Sequence, residues 1–131
     1  MFDLKPSSIA RWSVAFVFAY HGLVPKLLLV HPSEIELVKA TPTFGVDPSV
    51  LIQYAGIAEL VLALLIVGCW NKAWPLYVAG CALMGLFAAT VVFVPSIMGA
   101  AFNPVSLTVT TLALVWIALA DDEETSQAIE P

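Results

Sequence analysis

Charge is scarce in this chain. Of 131 residues, 5 are lysine or arginine and 10 are aspartate or glutamate, so charged residues make up 11%. Soluble domains carry about 25%. With 60% hydrophobic residues and a mean hydropathy of +0.94, the composition is that of a membrane protein and not of a soluble enzyme. The net charge of −5 supplies no basic footprint, which excludes nucleic acid as a partner. Much of the acid is local: Asp121, Asp122, Glu123, Glu124 and Glu130 fall in residues 121–131, which read as a solvated tail. Cysteine is as sparse. Cys69 and Cys81 show no ligand or redox spacing, so both are expected as small buried packing residues. Also missing are a nucleophile motif, a phosphate loop and a dinucleotide fingerprint. No self-sufficient catalytic motif is present, and any redox role would need a partner. Internal repeats and low-complexity segments are absent too.

What the chain has is long apolar runs. Residues 9–30, 50–70, 75–94 and 104–120 are each long enough to cross a bilayer, since about 20 apolar residues span about 30 Å of hydrocarbon. The expected fold is all-α: one integral membrane domain over 1–131, a four-helix up-down bundle with its first helix kinked at Pro25. The apolar run after the N-terminal MFDLKPSSIAR is too long for a signal-peptide core, so it is read as a retained first span. An even number of spans puts both termini on one side. Lys5, Arg11 and Lys72 fall on that side against Lys26 and Lys39 on the other, which favours cytoplasmic termini. Trp12, Trp70, Trp74 and Trp116 all fall near the same side, as an aromatic belt.

The first run is unlike an anchor. It holds Arg11, His21 and Lys26, is followed by His31, and is interrupted by Gly22 and Pro25. Intramembrane ionisable groups cost a few kcal/mol each and mark a site or an internal pair. Proline lacks the N–H that would bond to the His21 carbonyl, which must find another partner. Between the first two runs, Ser33-Glu34-Ile35-Glu36 fits a capping box opening a short surface helix. In the second run Gln53, Gly56, Glu59 and Ala63 recur at helical spacing and form one small and polar stripe. Cys81, Gly85 and Ala88 form a small face in the third. Asn103-Pro104 is a strong helix start for the last, whose expected inner face carries Ser106, Thr110 and Ala113.

Depth arithmetic brings the polar residues together. At about 1.5 Å per residue, His21 lies roughly 18 Å from the start of the first run, and Glu59 roughly 14 Å from the opposite start of the second. Within about 30 Å of hydrocarbon these depths nearly coincide. Lys26 is just above, and His31, Glu34 and Asn103 are at the rim. The candidate polar cluster is therefore His21, Lys26, His31, Glu34, Glu59 and Asn103. Its ordinary reading is a set of charges that neutralise one another and lock helices together, with Lys26 and Arg11 snorkelling outward. Scattered His21, His31 and Glu59 have no metal-ligand spacing, and no metal is expected.

Several of these segments resemble a known family. Arg11-Trp12-Ser13, His21-Gly22-Leu23-Val24-Pro25-Lys26 and Glu34 are similar to the first helix of DoxX-like membrane proteins. Glu59 within Ala55-Gly56-Ile57-Ala58-Glu59, and Phe102-Asn103-Pro104, fit the same pattern. The resemblance implies a four-helix protein of the bacterial inner (plasma) membrane. The broader group includes a small subunit of a thiosulfate:quinone oxidoreductase, and related segments occur beside NAD-binding epimerase-like domains. It thereby implies an accessory role in a membrane redox system, with a quinone-like ligand and a redox partner subunit. Two further readings stay open on the residues: a structural or assembly subunit without ligand, and a small transport or proton-relay protein that would form a homo-oligomer. An intramembrane isomerase using histidine and glutamate as acid and base is more remote.

Overall fold

A computed structural model describes residues 5–101 and 103–127. Expectations for residues 1–4, for Phe102 and for the side chains of 121–131 lie outside the described residues. The described chain is all-helical: α1 (Pro6–Gly22), a π turn (Leu23–Leu28), α2 (Pro32–Ala40), α3 (Pro48–Gly68), α4 (Trp74–Phe93), a 3₁₀ turn (Pro95–Gly99) and α5 (Pro104–Gln127). By length and composition α3 and α4 are able to cross a membrane, while Pro104–Ala120 is a shorter apolar helix. Helix α1 packs chiefly against α3 and α5, and α5 also packs on α4. Their shared core includes Val14 and Phe18 of α1, Ile66 of α3, Leu76 and Ala79 of α4, and Val115 and Ala118 of α5.

Proline sets the helix starts. Pro6, Pro32, Pro48, Pro75 and Pro104 each stand in the first turn of a helix, where the missing N–H costs nothing. Pro25 falls inside a helix instead, and the backbone answers by widening. The Leu29 N–H bonds to the Val24 carbonyl at 3.0 Å and the His31 N–H to the Pro25 carbonyl at 2.8 Å. The first, five-residue spacing is that of a π bulge, a common remedy for an interrupted ladder, and the second, six residues wide, closes its end. The sharp change of direction comes later than Pro25. Pro6–Leu28 and Pro32–Ala40 meet at 90°, so the helical run turns after Leu28. Val30 in this corner has φ +43°, a strained value for a β-branched residue.

Caps correct two expectations. His31, not Ser33, caps α2: its Nδ1 accepts from the Ser33 N–H at 3.3 Å and lies 2.7 Å from the Ser33 hydroxyl. Helix α3 starts at Pro48, ahead of residue 50, because Asp47 caps it, accepting from the Ser49 N–H at 2.8 Å and from the Ser49 hydroxyl. These two Ser49 bonds, the hydroxyl's first, hold the Asp47 carboxyl below its ordinary pKa.

Helix faces also differ from expectation. Cys81, Gly85 and Ala88 are exposed, and Pro75, Leu76, Ala79, Leu83 and Thr90 are the buried face of α4. Cys81 is therefore not the buried packing residue the sequence suggests. In α5 the buried positions are Thr108, Thr111, Val115 and Ala118; of the expected inner face Ser106 and Thr110 line a cavity between the helices, while Ala113 is exposed. Gln53 is exposed as well, leaving Gly56, Glu59 and Ala63 as the inward part of its stripe. The differences at Cys81, Gly85, Ala88, Ala113 and Gln53 share a cause. These helices are apolar all round, so periodicity selects no face and only the neighbouring helices do.

Helices α1 and α3 run antiparallel and meet backbone to backbone. A Cβ built on Gly56 would stand 2.7 Å from the Gly22 carbonyl oxygen and 3.0 Å from Lys26 Cβ, while one on Gly22 would stand 2.6 Å from the Gly56 carbonyl oxygen. No flexible side chain can yield there, since the obstacle is main chain. Gly56→Ala is expected to cost about 1–3 kcal/mol in reversible detergent unfolding, the usual range for overpacking. Gly85→Ala is the control, because nothing lies within 4 Å of its built Cβ. Equal stability of the two variants would refute the close crossing.

Candidate functional site

The π turn and the Gly22–Gly56 crossing together decide where Lys26 goes. Close backbone approach brings the start of its side chain against α3, and the widened turn directs it inward. Lys26 is 4% exposed, so it does not snorkel outward. Its Nζ is 2.6 Å from Glu59 Oε1 and 3.7 Å from Glu34 Oε1. Glu59 is held one turn beyond Gly56 on the same face of α3, and its side chain is 11% exposed. Glu34 reaches the pair from α2, which the 90° corner lays across this end of the helices. A short ion pair and a longer one thus tie three successive helical segments.

Beside this pair is a cavity of about 760 Å³. Lys26, Glu59, Glu34, His21 and Asn103 all line it. Its apolar walls include Phe18 of α1, Leu83 and Phe87 of α4 and Leu107 of α5. The His21 ring stands edge-on to Tyr20, with centroids 6.3 Å apart. Asn103 caps α5 as its sequence suggests, accepting from the Ser106 N–H at 3.0 Å. His31 is the member of the predicted cluster that does not line the cavity, since its ring is turned onto the first residues of α2. Among the described residues no three histidine, cysteine, aspartate or glutamate side chains gather as a metal site. Apolar walls with a few convergent polar groups are the ordinary make-up of a small-molecule site, and pockets of about 300–1,000 Å³ hold one.

A family model described as the DoxX-like family matches residues 15–116. The chain belongs to the DoxX-like family. Family membership and the apolar helices make it a membrane protein. Neither curated proteins nor solved structures give a match.

Outside the cavity, sequence reasoning missed Arg11. It was expected to snorkel, yet it is 3% exposed. Its guanidinium donates to the carbonyls of Ile66 at 2.9 Å, Cys69 at 2.9 Å and Lys72 at 2.6 Å, and lies 5.4 Å from the centre of the Trp70 ring. The last carbonyls of a helix lack partners of their own, and a planar fork of donors suits several at once. Trp12 packs on Trp70 beside it, with centroids 5.7 Å apart. The signal for this in the sequence is that Arg11, beside Trp12, lies level with the end of the second run at Trp70.

Proposed function

We propose that this DoxX-like protein binds an amphipathic, quinone-like molecule in the cavity and serves as an accessory component of a bacterial inner-membrane redox system. The observation that carries the reading is the cavity itself: a space of ligand size with apolar walls and the Lys26–Glu59 pair at one end. The apolar walls suit a lipid-soluble body. His21, Lys26 and Glu59 would receive the polar head and exchange protons with it, in line with the acid–base range of these groups. The redox centre itself would come from a partner subunit. In this proposal the chain is a single domain whose four spans form an up-down bundle with both termini cytoplasmic, the first span being Pro6–Leu28 and the last Pro104–Ala120.

A structural reading competes with it on one specific observation. Lys26 and Glu59 lie at the Gly22–Gly56 crossing, where an ion pair would lock α1 to α3. Purification of the full chain in mild detergent, followed by native mass spectrometry, separates the two. The expected result is a bound quinone-class molecule that is lost on His21→Ala and on Glu59→Gln while helical content is kept. An empty protein without co-purifying subunits, whose host shows no redox phenotype with either substitution, would leave the pair a structural lock.

A further inference from the structure

The polar end of the cavity holds a buried acceptor that no donor reaches. One ammonium, with three protons, faces the four oxygens of two carboxylates. Glu59 Oε2 is buried and has no hydrogen-bond partner. Three of the neutral groups lining the cavity direct their protons to the backbone. The Thr90 hydroxyl donates to the Leu86 carbonyl at 2.9 Å and the Ser106 hydroxyl to the Asn103 carbonyl at 3.2 Å. The Asn103 amide donates to the Ala100 carbonyl at 3.2 Å, and its oxygen already accepts from Ser106. A buried acceptor without a proton costs about 1–3 kcal/mol, and more when it is charged.

We propose that the cavity selects a head group that donates a hydrogen bond, an aromatic hydroxyl of the phenol or hydroquinone class, over the acceptor-only carbonyl of a quinone. This rests on the cavity being a ligand site and adds which member of the quinone pair it holds. The hydroxyl proton goes to the Glu59 carboxylate. The terminal torsion of glutamate is broad and two-fold, so a modest rotation presents either oxygen while the other stays on Lys26. A quinone carbonyl brings no proton to Glu59, so even if it took the remaining Lys26 proton, Glu59 Oε2 would stay without a partner. His21, with one donor and one acceptor nitrogen when neutral, accommodates either form and does not discriminate.

The full chain in lipid nanodiscs is titrated with para-decylphenol, its methyl ether, decyl-benzoquinone and decylammonium. These share a tail and differ at the head. The phenol is expected to bind at least about tenfold more tightly than the ether or the quinone, the size of a hydrogen bond to a charged acceptor. In Glu59→Gln that preference is expected to shrink to about two- to threefold. The wild-type series needs no variant, so it reads the selectivity even if Glu59→Gln folds poorly. A quinone or an ammonium that binds as tightly as the phenol overturns the hydroxyl assignment while the ligand site stands. Failure of all four to bind overturns the ligand site, and this inference with it.

Discussion

Glu59→Leu is expected to lower the stability of the protein by about 3 kcal/mol, near the low end of what removing one partner from a buried ion pair costs. The loss comes from Lys26, which is 4% exposed and would be left buried without its nearest counter-ion. Glu34, at 3.7 Å, limits the damage. Two companions make the test sharp. Glu34→Gln alone is expected to cost less than about 1 kcal/mol, since its contact is longer and its side chain more exposed. Lys26→Met combined with Glu59→Leu is expected to recover most of the loss, because two apolar side chains replace a pair whose desolvation offsets its attraction. Reversible unfolding of the four proteins in mixed detergent micelles measures all three values. A change under about 0.5 kcal/mol for Glu59→Leu would mean that the pair is solvated and not buried.

Arg11→Met should be comparably severe, on the order of 3 kcal/mol. A hydrogen bond to a charged group contributes about 1.5–3 kcal/mol, and the Arg11 bonds to Ile66, Cys69 and Lys72 share one guanidinium and do not add fully. Methionine fills the volume but leaves the carbonyls at the end of α3 and in the following turn without that donor. Arg11→Lys keeps the charge and is expected to recover less than half of the loss, because a single ammonium cannot span carbonyls that belong to Ile66, Cys69 and Lys72. Hydrogen exchange localises the effect: protection should fall at 66–72 in both variants and hold near Gly22 and Gly56. Uniform loss across all helices would show that Arg11 acts through general stability alone.

These two residues show how far sequence reading reaches in such a protein. For Glu59, depth was enough. Counting residues from opposite ends of two antiparallel spans puts it level with His21 and just below Lys26, and a carboxylate at that level cannot face lipid. Arg11 was equally level with the end of α3 by the same count, but a residue near a span end has water as an alternative. Whether it turns out or in depends on the carbonyls and the Trp70 ring presented by another helix, which a count of depth does not contain.

Composition and spacing alone determined that this is an all-helical membrane protein, which segments are apolar, where prolines start helices, and which ionisable residues share a level. Those properties are local or one-dimensional: burial in lipid needs only length and hydropathy, and a cap needs only its own next residues. Tertiary structure decided the rest. It turned Cys81, Gly85 and Ala88 outward, because an apolar helix in an apolar solvent has no preferred face until a neighbour supplies one. It converted the break at Pro25 into a π turn followed by a 90° corner, and laid Glu34 over Lys26 by doing so. It also opened the cavity between the Lys26–Glu59 pair and the walls of α4 and α5, which come from separate parts of the chain.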